Sequence, residues 1–380
     1  MSSAAVALAP AESSPLPIQL VVRRTHVIQP LVHLSIFLYW GLYWSDVRSF
    51  MPRLLDLCLF AYAIDAIFSF ARYKSWRIGL GPLPIVFSSN LFVWFDGRGW
   101  YWHYVLLAIG IACKHFVQRD GRHVFNPSAI GISVLAIPCL LFPHRLGEVD
   151  VGHPIAAAPN MAEWILLVSL ISLRIVPVVL TTIGAVLINP PFSGLIERTI
   201  HTHPYTPGVP WAPILLGLTL LITDPATTPR KPVGQLLFGA VYMMLFAIIG
   251  TMLNAPTEGT DTLNFWAKVL PIPIVNWLVP WFDRIGDKLV PRPPRWLGPE
   301  YNGRHVLVWA VVMSIGMMLT PQFKRRHFDN NAMCWAQTAH VVVDGDGKAT
   351  CEQNPVFCRP FSFAGEIALW TGRGPAPRNR

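Results

Sequence analysis

Apolar residues run along this chain in long blocks rather than at the alternating or three-to-four spacing of soluble amphipathic elements. The blocks fall near residues 27–45, 54–71, 83–95, 101–117, 129–142, 164–188, 212–222, 233–253, 266–282 and 306–319. Most approach the roughly 20 apolar residues that cross a bilayer as a helix. They predict an all-α chain, a polytopic membrane helix bundle of about ten transmembrane segments. Residues 1–22 are rich in Ala, Ser and Pro and lack the basic start and short apolar core of a signal peptide, so they read as a flexible tail. Residues 23–321 make the transmembrane domain, and residues 322–380 a polar C-terminal tail.

Three blocks are abnormal. Those at 129–142 and 212–222 are short, and 164–188 is long with Arg174 and Pro177 in its middle. Short or interrupted spans mark broken helices that line a site rather than face lipid. Two polar motifs sit at such places. His123-Val124-Phe125-Asn126-Pro127-Ser128-Ala129 enters the fifth block, and Thr223-Asp224-Pro225-Ala226-Thr227-Thr228-Pro229 leaves the seventh. A polar residue before Pro disfavours helix at that position and starts a new element just after it. Their similar character, one in each half, suggests two pseudo-repeats. If the breaks approach each other, Arg122, Asn126, Ser128, Thr223, Asp224 and Thr227 form a polar cluster able to grip a ring edge or a phosphate. If each Pro merely caps a helix, the same residues satisfy local backbone.

Composition and charge sharpen this picture. The chain of 380 residues is 53% hydrophobic and 13% charged, where soluble domains carry about 25% charged residues. Its net charge of +9 sits at the ends of the apolar blocks, which fits topology signals and lipid headgroups rather than nucleic acid. Arg23 and Arg24 precede the first block, Arg72, Lys74 and Arg77 follow the second, and Lys114, Arg119 and Arg122 follow the fourth. These basic loops predict a cytoplasmic N-terminus. In the second half Arg230 and Lys231, the 284–295 cluster and Lys324-Arg325-Arg326 do not share one side under a simple ten-span count. A hairpin or break within 164–188 changes that parity.

Few residues offer chemistry alone. Cys58, Cys113 and Cys139 read as packing groups. Cys334, Cys351 and Cys358 match no zinc or iron–sulfur spacing, and no metal site is expected. With the tail outside, Cys351 and Cys358 suit a disulfide; with it inside, all three are free thiols. His103 and His115 stand at opposite ends of one predicted helix, where interfacial anchoring outweighs haem ligation. Asp65 and Arg174 lie within apolar blocks, where a charge pairs or lines a polar path. Gly79-Leu80-Gly81-Pro82 is not a dinucleotide loop, and no P-loop occurs. Any electrons or energy therefore come through a partner or a bound cofactor.

The His123–Ala129 motif resembles the phenylalanine–asparagine–proline–alanine motif of a family of membrane redox proteins. That family holds the NqrB component of the sodium-translocating NADH:quinone oxidoreductase and the RnfD component of the Rnf electron-transport complex. Ile222-Thr223-Asp224-Pro225-Ala226-Thr227, with Gly234 and Phe238-Gly239-Ala240, resembles its second signature. Asn276-Trp277-Leu278-Val279-Pro280-Trp281-Phe282-Asp283 is similar to a later asparagine-to-aspartate run of the family. The matches come in the family's order and span roughly residues 20 to 320. The tail is more similar to a divergent branch found with enediyne-type biosynthesis genes. The resemblance implies a ten-span fold of two pseudo-repeats with a flavin between them. In the family a serine–glycine–alanine–threonine motif carries FMN on its threonine. Here Phe192-Ser193-Gly194-Leu195-Ile196 puts Ile196 at that place, which has no hydroxyl to form the phosphoester.

The expectation is thus a membrane electron-transport subunit of a bacterial cytoplasmic (inner) membrane. It would hold FMN or riboflavin non-covalently through Arg122, Asn126, Ser128, Thr223, Asp224 and Thr227. Its partners would be other membrane redox subunits or a soluble electron donor, and the lipid bilayer. The alternative is a membrane transporter or channel-like protein without redox chemistry.

Overall fold

The computed structural model describes residues 18–43, 45–95, 99–141, 149–150, 161–201, 211–253, 262–319 and four short strands of the C-terminal region. Thirteen α-helices dominate these described residues. The first half holds α1 (Arg24–Tyr43), α2 (Ser45–Tyr73), α3 (Pro82–Phe92), α4 (Trp102–Phe116) and α5 (Pro127–Leu141). The second holds α6 (Met161–Ile175), α7 (Val179–Ile200), α8 (Trp211–Leu216), α9 (Pro232–Leu253) and α10 (Thr262–Val269). It ends with α11 (Pro271–Trp277), α12 (Val279–Leu289) and α13 (Asn302–Leu319). A π-helical turn, Gly217–Leu221, continues α8.

Strands occur only as two-stranded pairs. β1 (Ile18–Val21) lies parallel to β2 (Trp76–Gly79), so residues 18–21, expected within a flexible tail, are paired backbone. β3 (Trp94–Phe95) pairs with β6 (Val149–Asp150), and β4 (Gln118–Arg119) with β5 (Arg122–His123). Between β4 and β5, Asp120 and Gly121 both adopt positive φ, 52° and 73°. That is the primed two-residue hairpin turn for which Asp-Gly is the usual sequence. In the C-terminal region β7 (Met333–Cys334) pairs with β10 (Cys358–Arg359), and β8 (Val341–Val343) with β9 (Ala349–Cys351). The backbone register sets Cys358 across from Cys334, whereas the disulfide considered for an outside tail paired Cys358 with Cys351.

The helices follow the apolar blocks, with two corrections. Block 164–188 breaks at Val176-Pro177-Val178 into α6 and α7, because Pro177 has no N–H to continue the ladder. Arg174, expected inside a span, lies exposed in the last turn of α6 at this break. Block 266–282, expected as one span, is three helices. Pro271 and Pro280 each stand at the start of a new one, where a missing N–H costs nothing. Among the described residues three helices are long and apolar enough to cross a membrane: Val47–Tyr73, Val179–Thr199 and Pro232–Leu253. Pro82–Phe92 and Pro127–Leu141 are apolar but shorter, so ten helices of full spanning length are not present there.

The bundle packs around Phe37, Trp40, Phe238, Tyr242, Phe282 and Trp309, each almost fully buried. Backbones touch at glycines. A side chain at Gly110 would collide with the Pro127 carbonyl, and one at Gly131 with that of Leu106, so α4 and α5 meet closely. Gly184 and Gly239 bring α7 and α9 together in the same way, against the Leu236 and Thr181 carbonyls. Small residues at such crossings are the usual means of packing helices when neither side gains by leaving water. The outer surface is apolar: Leu55, Leu59 and Ile67 on α2, Leu167 and Ile171 on α6, and Leu307, Val308 and Ile315 on α13 are all exposed. Exposed leucines singly mean little, but their repetition along several helices gives those helices an apolar outer coat.

Candidate functional site

The two sequence motifs meet at one junction, and a third element joins them. Asn126 precedes Pro127 at the start of α5. Its Oδ1 accepts from the Ser128 N–H at 3.1 Å, the Ala129 N–H at 3.2 Å and the Ser128 hydroxyl at 2.8 Å. This is an N-cap, serving donors that have no partner in the first helical turn. Its Nδ2 donates to the Leu221 carbonyl at 2.8 Å, at the end of the π-helical turn. The Asn126 N–H donates to Asn276 Oδ1 at 2.9 Å, and Asn276 Nδ2 donates to the Thr227 carbonyl at 3.1 Å. Asn276, on α11 and almost fully buried, thus bridges the two breaks. From the same run, Asp283 on α12 accepts from the Arg230 and Lys231 N–H groups at 3.2 and 3.0 Å, just before α9 begins. One carboxylate therefore caps the second helix start, as an amide caps the first.

Asp224 sits on the loop between the π-helical turn and α9. Its Oδ1 accepts from the Ala226 N–H at 3.1 Å, and its Oδ2 from His123 Nε2 at 3.0 Å and the Thr227 hydroxyl at 3.1 Å. Burial pushes the Asp224 carboxyl up, but His123 and these hydrogen bonds outweigh it and hold it below the ordinary carboxylate value. Arg122 Nη2 donates to the Pro225 carbonyl at 2.9 Å. Burial, then the neighbouring Arg230, push its guanidinium down from its ordinary value, and Asp224 opposes them. The β4–β5 hairpin is what delivers Arg122 and His123 from the end of α4 to this loop.

All six residues singled out from sequence are brought together here, but their polar atoms mostly bond one another. Asn126 and Ser128 serve the start of α5, and the Thr223 hydroxyl turns back on the Thr219 carbonyl at 2.6 Å. Thr227 holds Asp224. Arg122, Asp224, Asn126 and Ser128 also border open space. A cavity of about 360 Å³ lies beside the junction, lined by Arg23, His26, Arg77, Lys114, Arg122 and Asp224 among others. A recess of about 80 Å³ shares His26, Lys114, His123 and Asp224 with it and reaches Asn126, Ser128 and His33. A further cavity of about 310 Å³ lies between Arg122, Pro177, Pro225, Gln235 and Asn302.

Sequence reasoning missed much of the main cavity's lining. Asp65, read as a charge that pairs or lines a polar path, is buried and takes Lys114 Nζ and His115 Nε2 on one oxygen, each at 2.8 Å. Two neighbouring residues of α4 thus meet one carboxylate of α2, which a sequence without contacts does not reveal. Arg77 stacks on the Tyr73 ring with its guanidinium carbon 3.6 Å from the centroid. Gly81 lets the chain pass close to Lys114 and His26, since a side-chain carbon there would lie 3.1 Å from Lys114 Nζ. Two buried atoms on this lining, His26 Nδ1 and Arg77 Nε, have no hydrogen-bond partner among the described residues.

Other candidates fall elsewhere. His103 packs against Phe50, ring centroids 5.7 Å apart, and His115 is held by Asp65. Ile196 is buried in α7 and Ser193 donates to Asn189 Oδ1 at 3.0 Å. Among the described residues no group of three or more His, Cys, Asp or Glu is placed to hold a metal ion. No known family signature matches the chain, and no curated protein matches it.

Proposed function

We propose that this chain is a membrane-embedded electron-transport subunit that holds a flavin non-covalently in the cavity beside the Asn126–Asp224–Asn276 junction. One observation carries the reading. The three stretches that resemble NqrB and RnfD, far apart in sequence, fold onto one junction at the edge of a cation-lined cavity. Its volume of about 360 Å³ falls within the roughly 300–1,000 Å³ of small-molecule sites. Arg23, Lys114 and Arg122 on its lining offer polar contacts to a ring edge or a phosphate. Ile196 gives no hydroxyl for a phosphoester, so retention is non-covalent. When bound, the flavin supplies the redox chemistry. The chain's own part is to orient it, with Arg122 and His123 fixed over the cavity by Pro225 and Asp224.

The membrane setting draws on the apolar coat and the three long apolar helices. Arg23, Arg77, Lys114 and Arg122 gather around one cavity at one end of the bundle. Pro177, Pro225, Arg230 and Leu297 line spaces that also touch Arg122, so the α6–α7 break belongs to that same end. An α6–α7 turn there brings Arg230, Lys231 and the 284–295 cluster to the side of Arg23, where a count with one long sixth span puts them on the other. By the positive-inside rule this end, and with it the N-terminus, faces the cytoplasm of a bacterial inner membrane. The shorter helices then cross in pieces around the junction, in two pseudo-repeats of about five passes each. Electrons would come from another membrane redox protein or a soluble donor.

The test is the visible spectrum of the full chain purified from membranes in neutral detergent. The flavin bands should appear, bleach on reduction, and leave with the small-molecule fraction after denaturation. A colourless preparation that moves a solute when reconstituted would replace the reading with a transporter.

A further inference from the structure

The main cavity is out of charge balance. Arg23, Arg77, Lys114 and Arg122 face it against the carboxylates of Asp65 and Asp224, counting its imidazoles as neutral. Both carboxylates are already engaged, Asp65 by Lys114 and His115, Asp224 by His123, Thr227 and the Ala226 N–H. Two positive charges are left over, and one of them is held in place. Arg77 is fixed flat on Tyr73, and its buried Nε has no hydrogen-bond partner among the described residues. Arg23, just before α1, has no ion-pair partner among them either. Gly81 removes the side chain that would separate Lys114 from His26, so both reach the same wall.

We infer that this cavity is a binding site for a doubly charged phosphate group, carried by a small phosphate ester, by free phosphate or by a phospholipid headgroup. A dianion matches the two uncompensated charges. Guanidinium groups match its oxygens with paired N–H donors, which an ammonium alone does not do. Partial burial of Arg77 and Arg122 keeps their attraction from being screened as it would be on an open surface. The space of about 360 Å³ exceeds a phosphate, leaving room for a substituent. The inference goes beyond the flavin reading and does not depend on it, because it follows from the charge of the lining.

The test uses the full chain in neutral detergent, with thermal unfolding followed during titration with inorganic phosphate. Potassium chloride at matched ionic strength is the reference. In a second arm the chain is placed in phosphatidylcholine vesicles with or without phosphatidic acid. A saturable rise in melting temperature with phosphate, beyond that in chloride, identifies a soluble phosphate site. A rise only with phosphatidic acid identifies the headgroup as the source. Arg77→Gln and Arg23→Gln should each weaken the effect about tenfold or more. Arg23 is exposed, so its variant folds even where the Arg77 variant does not. Arg304→Gln, stacked on Tyr301 and outside the lining, should leave it unchanged. No rise in either arm, an equal rise with chloride, or an undiminished rise in Arg23→Gln overturns the inference. The titration is run on chain freed of any flavin, because flavin in the same cavity would mask phosphate. Binding by a chain that never carried flavin leaves this site standing while the flavin reading falls, and no phosphate effect on a chain stripped of its flavin does the reverse.

Discussion

Gly239→Ala lowers the melting stability of the chain by about 2–3 kcal/mol, although the same change usually stabilises a helix. Inside a helix, Gly→Ala normally gains about 1 kcal/mol. At Gly239 the added carbon collides with the Thr181 carbonyl oxygen and crowds the Ala185 N–H at 2.9 Å, both backbone atoms of α7. Backbone cannot swing aside, so α7 and α9 must move apart along their shared face. The comparison is Gly194→Ala on α7, where nothing lies within 4 Å of the new carbon. That variant should be neutral or slightly more stable. Thermal unfolding in one detergent gives both values, and two equal shifts would show that the α7–α9 contact is not built on Gly239.

Asn276→Ala carries the second large effect, a loss of about 3 kcal/mol. The amide accepts from the Asn126 N–H at 2.9 Å and donates to the Thr227 carbonyl at 3.1 Å. Truncation leaves both backbone groups buried without partners, and each costs about 1–3 kcal/mol. Water reaches an apolar interior poorly, which keeps that cost near its upper end. The neighbouring Trp277 is mostly exposed, so Trp277→Ala should shift unfolding far less. The same unfolding measurement decides it, since equal losses at 276 and 277 would mean that Asn276 holds no bridge.

Much of this arrangement is legible in the sequence, for reasons that can be traced. Continuous apolar blocks locate α1 to α7, α9 and α13, because a helix is the element that satisfies its own backbone in apolar surroundings. Pro177 marks the break between α6 and α7. Asn126-Pro127 marks the start of α5 by ordinary capping chemistry, whereas Asp224-Pro225, expected to open a helix in the same way, lies in a loop and α9 begins only at Pro232. The same rule, applied to Pro271 and Pro280, would have divided block 266–282; its unbroken hydrophobicity hid the breaks. Asp120-Gly121 is a plain hairpin pair that passes unnoticed between two strands of two residues each.

The rest depends on residues distant in the chain. Nothing local ties Asp65 to Lys114 and His115, because their contact needs α2 and α4 aligned side by side. Aligned contacts run from Asp56 with Tyr104 at one end to Tyr73 with Gln118 at the other. Nor does the sequence alone show that Asn276 joins the start of α5 to the Thr227 loop while Asp283 caps α9. The strand at 18–21 is hidden by the Ala, Ser and Pro-rich residues before it, yet its pairing with β2 positions Arg23 at the cavity.

The most direct test of the central claim is the flavin-to-protein ratio of the wild-type and Asp224→Ala chains, purified side by side from membranes. Asp224 holds His123 and Thr227 in place at the cavity's edge, so its loss should disturb the site without touching the long apolar helices. Near-equimolar flavin is expected on the wild-type chain and a small fraction of it on Asp224→Ala, with both chains equally resistant to carbonate extraction. Flavin absent from the wild type, or retained equally by both, would contradict it.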